Sequence, residues 1–149
     1  MATVEESVEI QARAEGLFWL MQNYDRRLEW DPFLSRAELV DAAAAGVGVR
    51  AWCVDRRGRG METEYVSFRP PTRVAIKMTK GPWMFRDLSG SWIYEALSET
   101  VTRVRFRYRI VPRVAVPGAE PILEAVFMRQ MRKRLVALKK AVEERGLEL

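Results

Sequence analysis

Two carboxylates spaced two residues apart, Glu62 and Glu64, are the groups in this sequence best placed to handle a proton. Side chains alternate along an extended chain, so both share a face with Val66 and Phe68. A carboxylate held among apolar groups raises its pKa or finds a partner. Such a group can orient a ligand hydroxyl or serve as general acid or base. The alternative is that both lie near the strand end in water, paired with Arg or Lys. The spacing fixes their common face and leaves open which face it is.

A second set is aromatic. Trp92 and Tyr94 on one strand, and Phe106 and Tyr108 on the next, fall on one side of a hairpin. They suit a pocket whose tyrosine hydroxyls supply a few polar contacts, and they suit a packed core equally. Phe127 and Met131 on the following helix face the same space, where methionine tolerates varied shapes.

Several chemistries are removed at the outset. The chain has no histidine and one cysteine, Cys53. An intrachain disulfide, a histidine-based triad and a zinc centre are therefore not expected. Cys53 alternates with Val49 and Ala51 and reads as a small inward hydrophobe. Gly46-Val47-Gly48 lacks the lysine of a phosphate-binding loop. No metal and no cofactor are expected, and no catalytic residue is assigned.

The formal net charge is +5 over 149 residues, with 48% hydrophobic and 30% charged. That balance describes one globular domain spanning residues 1–149. Arg103, Arg105, Arg107 and Arg109 form a basic stripe that either binds anions or pairs with Glu5, Glu9 and Glu95 on neighbouring strands. Pairing is the cheaper reading. Arg129, Arg132, Lys133, Arg134, Lys139 and Lys140 crowd the last helix, where cations complement the helix dipole. Nucleic acid is thus not the expected partner. The apolar runs are too short to span a bilayer, and the acidic, alternating N-terminus is unlike a signal peptide, so a cytoplasmic chain is expected. Trp52 reads as an exposed aromatic and a hint of a partner surface. The oligomeric state is not legible.

The elements that carry these residues follow from periodicity. Residues 4–10 alternate as a strand, and 12–24 has helical spacing with Leu17, Leu20, Met21 and Tyr24 on one face. A second short helix ends near Trp30-Asp31-Pro32, because proline disfavours helix in the residue before it. Strands are expected over 36–41, 47–55, 61–69, 73–79, 83–97 and 101–111. From Pro121 to Arg145 the period becomes three to four, with Leu123, Val126, Phe127, Met131, Leu135, Leu138 and Val142 on a stripe. Pro121 and Gly146 punctuate this helix. Seven strands in one sheet must twist and curl. The expected fold is α+β: a curved antiparallel sheet around one long helix, with a cavity between them.

This order resembles the START-like helix-grip superfamily over essentially the whole chain. Tyr24 with Trp30-Asp31-Pro32-Phe33, and Phe68-Arg69-Pro70-Pro71-Thr72-Arg73-Val74, resemble its polyketide cyclase/dehydrase branch. Gly81-Pro82-Trp83 and Leu88-Ser89-Gly90-Ser91-Trp92-Ile93-Tyr94 resemble the coenzyme Q-binding and ribosome-association toxin subgroup. The segment at Trp30-Asp31-Pro32 departs from that subgroup's aromatic-proline arrangement. The resemblance implies a glutamate at the Glu64 position pointing into the cavity, with Glu62 beside it. It implies binding of a small hydrophobic molecule such as a lipid, quinone or polyketide. It also leaves open a cyclase or dehydratase using Glu64 with Tyr94 or Tyr108, and a ribosome or protein partner.

Overall fold

The computed structural model describes all residues 1–149. Seven strands form one antiparallel sheet: β1 (Ala2–Ile10), β2 (Leu34–Val40), β3 (Arg50–Asp55), β4 (Gly60–Arg69), β5 (Arg73–Lys80), β6 (Phe85–Ala96) and β7 (Thr102–Pro112). Their order across the sheet is β1-β7-β6-β5-β4-β3-β2. The first two strands therefore sit on opposite edges. The chain between them crosses the inner face as helix α1 (Ala14–Gln22) and a 3-10 turn (Tyr24–Glu29). The long helix α2 (Glu120–Glu143) lies along β1 on the same side. No helix is long and apolar enough to cross a membrane.

Local chemistry explains each element. Leu17, Phe18, Leu20 and Met21 turn the buried side of α1 toward the sheet. Asn23 ends α1, and its side-chain oxygen accepts from the backbone N–H of Asp25, starting the tighter 3-10 turn. On β7, Val104, Phe106 and Ile110 are buried while Arg107 and Arg109 are exposed, as period-2 alternation requires. On α2 the buried residues are Met131, Arg134, Leu135, Leu138 and Ala141, a single stripe at helical spacing. All five lie from its midpoint onward. Before Met131 the helix offers only half-buried contacts, among them Leu123, Phe127 and Met128. Val126, expected on the stripe, is exposed.

The observed boundaries follow the expected ones closely, with one consequential departure in β4. Its pairing with β5 shifts register between Glu62 and Thr63 and again between Tyr65 and Ser67. A bulge inserts an unpaired residue and resets which side chains face inward. Tyr65 and Phe68 consequently both pack on the core, and Val66 is exposed. Glu62 and Glu64 do not share Phe68's face.

The basic stripe is partly matched. Arg107 bonds Glu5 at 3.1 Å, and Arg103 reaches Glu9 at 3.1 Å and Glu95 at 3.8 Å. Arg105 and Arg109 have no carboxylate partner; opposite them stand Ser7 and Thr3. Trp52 is not a free aromatic. It is half-buried, and its ring occupies the space a Cβ on Gly60 would need.

Candidate functional site

The interior bounded by the sheet, α1, the 3-10 turn and α2 holds two connected polar clusters. The first is built on Gln22, the last residue of α1. Its Nε2 donates to Tyr94 Oη at 2.9 Å, and its Oε1 accepts from Tyr65 Oη at 2.6 Å. Tyr24 Oη lies 3.2 Å from Tyr65 Oη. All four residues are buried. The amide satisfies two phenols at once, which fixes the rings of β4 and β6 against α1. Burial pushes all three tyrosines well above the ordinary phenol value, partly opposed by the nearby Arg27 charge, so they are neutral hydroxyls.

The second cluster joins the 3-10 turn to α2. Asp31 Oδ2 accepts from Arg27 Nε at 3.0 Å and from Arg134 Nη2 at 2.9 Å. Asp31 Oδ1 accepts from the backbone N–H of Phe33 at 3.0 Å. Burial alone would push the Asp31 carboxyl up; Arg134 and Arg27 outweigh it and hold it below the usual carboxylate range. The Arg27 guanidinium sits 5.5 Å from the Tyr24 ring centre and 4.9 Å from that of Trp30. Arg134 lies over Phe33, Trp92 and Phe106. Aromatic faces thus take the place of solvent around both cations.

Each residue picked out from the sequence now has a position. Trp92, Tyr94, Phe106 and Met131 are buried, Tyr94 against Gln22 and Phe18 of α1. Tyr108 and Phe127 are half-buried and meet edge-to-face at 5.8 Å. Gly90 makes room for Tyr108, since a Cβ there would lie 2.7 Å from its ring. Glu62 and Glu64 are elsewhere. On β3 and β4 they stand opposite Trp52 and Arg50, while Ala51 and Cys53 pair with Thr63 and Met61 on the inner side. Glu62 accepts from Thr79 Oγ1 at 2.8 Å with Arg50 3.6 Å away, and Glu64 pairs with Lys77 at 3.8 Å. The extra residue Val66 in β4 separates the face of Glu62 and Glu64 from that of Phe68, so the expected cavity carboxylates lie on the outer side with basic partners, Glu62 buried there at 6% exposure and Glu64 half-buried.

Sequence reasoning missed Arg27, Asp31, Arg134, Gln22 and Tyr65 as interior groups. Arg134 was legible: it follows Met131 by three residues and precedes Leu138 by four, so it falls on the stripe. The cluster of cations on α2 hid it. Arg27 and Asp31 are an i,i+4 pair, a second signal of contact. Tyr65 carried no such sign, because its orientation depends on the bulge.

The middle of the interior is filled by rings rather than left open as expected. Trp92 packs against Phe106, and Phe18 meets both Tyr94 and Phe68 edge-on. A depression of about 480 Å³ reaches this interior from outside. Its walls include Trp19, Asn23, Leu39 and the Ala42–Ala45 loop, and its lining reaches Gln22 and Tyr24. A second, about 550 Å³, lies on the outer side of α2 between Pro32 and Arg129, Lys133 and Lys140.

The fold is that of a known class. Residues 1–143 match the sequence profile of the family described as "Polyketide cyclase / dehydrase and lipid transport", and the chain belongs to that family. The chain is similar to a di-domain aromatase/cyclase, BexL, from the BE-7585A biosynthetic pathway, at 18% identity and a TM-score of 0.84. The match covers 99% of this chain and 48% of that one. It is similar to a START superfamily protein from Mycobacterium smegmatis, at 15% identity and a TM-score of 0.81, over 97% of this chain and 99% of that one. It is also similar to the Zhui aromatase/cyclase from Streptomyces sp. R1128, at 17% identity, a TM-score of 0.78 and 97% coverage of each. No curated protein matches the chain. At these identities the structural likeness establishes the START-like helix-grip fold, and that fold supports binding of a hydrophobic ligand.

Proposed function

We propose that the chain binds a small, largely apolar molecule of the lipid, isoprenoid/quinone or polyketide-like class between the sheet and α2, admitted beside α1 past Tyr24. The observation that carries this reading is the tyrosine cluster. Tyr65 and Tyr94 bond the amide of Gln22 and Tyr24 bonds Tyr65, so three neutral hydroxyls and one amide are chained together, and Gln22 and Tyr24 reach the lining of a depression. A few convergent polar groups in an apolar lining are what orient a ligand. Trp92, Phe106, Phe127, Met131 and Tyr108 form the apolar wall in this reading. The ligand would displace packed rings, and Tyr108, Phe127 and Phe85 are only half-buried, which gives them room to move.

The tyrosines also bear on catalysis. Hydroxyl donors can polarise a bound carbonyl, which suits a cyclase or dehydratase. Proton abstraction needs a base as well, and Asp31 is committed to two guanidiniums and a backbone N–H. Binding is therefore the better supported function.

The test is extraction of the purified protein into organic solvent with mass spectrometry of the extract, alongside native mass spectrometry of the intact chain. A stoichiometric apolar adduct lost on Tyr65→Phe is the expected result. Its absence, together with no uptake of cis-parinaric acid or its methyl ester, would remove the reading.

A further inference from the structure

The interior is rich in hydrogen-bond donors and poor in acceptors. Arg27 and Arg134 are both buried, at 7% and 6% exposure, and Asp31 is the one carboxylate that faces them. Its Oδ2 already takes Arg27 Nε and two nitrogens of Arg134, and its Oδ1 is held by Phe33. The other ionisable groups around the pair are Tyr24, Tyr108 and Cys53. Tyr24 and Cys53 are kept neutral by burial, so two positive charges face one negative. Trp30, packed 4.9 Å from the Arg27 guanidinium, supplies an independent sign: its indole Nε1 is buried and has no acceptor in the protein. Tyr94 Oη accepts from Gln22 and donates to no protein group.

A buried surplus charge and an orphaned buried donor are each costly when left unmet. Aromatic faces around the two guanidiniums ease the first cost without neutralising it. They do nothing for the indole N–H. What both lack is the same thing, an anionic acceptor. We propose that the apolar guest carries a compact oxyanion, with a carboxylate as the simplest case, which takes hydrogen bonds from the free guanidinium edge of Arg27 and from Trp30 Nε1. Arg134 and Asp31 then act as positioning residues that hold Arg27 from behind. This inference rests on the binding reading above and adds the chemistry of the head group to it.

The test compares cis-parinaric acid with its methyl ester, two fluorescent probes of equal apolar length, on the whole chain. Charge-assisted hydrogen bonds set the scale of discrimination, so the acid is expected to bind about tenfold or more tighter than the ester. Arg27→Gln should erase that preference, lowering acid affinity about tenfold more than ester affinity. Trp30→Phe removes the orphaned N–H together with part of the ring and breaks no protein hydrogen bond, and the ester reads the loss of ring volume separately, so it keeps the experiment decisive should Arg27→Gln fail to fold. It should lower acid affinity more than ester affinity. A residue with a merely structural role would move acid and ester affinities together. Equal binding of acid and ester to the native protein overturns the anion inference and leaves the binding reading standing. Uptake of neither probe overturns both.

Discussion

Glu5 and Glu9 face Arg107 and Arg103 across the outer surface of β1 and β7, and Asp31 faces Arg27 and Arg134 inside. The chemical groups are the same. On the outer face the partners stand in near one-to-one pairs, with Arg107 about half exposed and Glu5 at 38%. Water competes for every charge there, and each pair adds little. In the interior the Asp31 side chain has no exposure at all, and one carboxylate serves two guanidiniums. Water cannot compensate a loss, so removal of one partner strands the others. The contrast separates charges that keep a sheet face soluble from charges that hold the 3-10 turn against α2.

The largest test of that contrast is Asp31→Asn. It leaves two buried cations without a counter-charge and should cost about 3–5 kcal/mol in urea or thermal unfolding. Acid probes the same group without mutation. Its folded pKa lies below the ordinary 3.8, so its stabilisation is full above that pH and is lost as pH falls below it. The stability gap between native protein and Asp31→Asn should accordingly narrow in a denaturation series run from pH 6 down to about 3. Next in size is Tyr65→Phe. It leaves Gln22 Oε1 without its donor and should cost about 1–3 kcal/mol, read by the same melts. The smallest effect belongs to the outer face. A double-mutant cycle on Glu5→Ala and Arg107→Ala should give a coupling of about 0.2–1 kcal/mol that shrinks in salt. A coupling as large as the loss at Asp31 would break the distinction between the two regions.

The same contrast explains what could be read from the sequence. Outer and inner faces of β7 were legible because Arg103, Arg105, Arg107 and Arg109 alternate with Val104, Phe106, Tyr108 and Ile110 without interruption. The long helix was legible from its stripe, and the neighbouring of β1 and β7 followed from the fold it implied. In β4 the same reasoning misled. Period-2 logic carries Glu62 and Glu64 along with Phe68 only while the ladder stays regular, and the extra residue Val66 intervenes. No residue type in Met61–Arg69 announces it. The interior charges were hidden for a different reason. Arg27 and Arg134 lie among many surface arginines, and composition does not tell a buried cation from a wet one. Only the coincidence of Arg134 with the α2 stripe, and the Arg27–Asp31 spacing, could have separated them.

The central claim is that the tyrosine-lined interior, and not the surface, receives an apolar guest. The chain has four tyrosines, Tyr24, Tyr65, Tyr94 and Tyr108, and all of them border that interior. Ring-labelled tyrosine NMR during titration with cis-parinaric acid reads them directly. Displacement of the Tyr24, Tyr65 and Tyr94 ring signals, saturating together with probe fluorescence, is the predicted result. Probe fluorescence that saturates while those three signals stay fixed would contradict it.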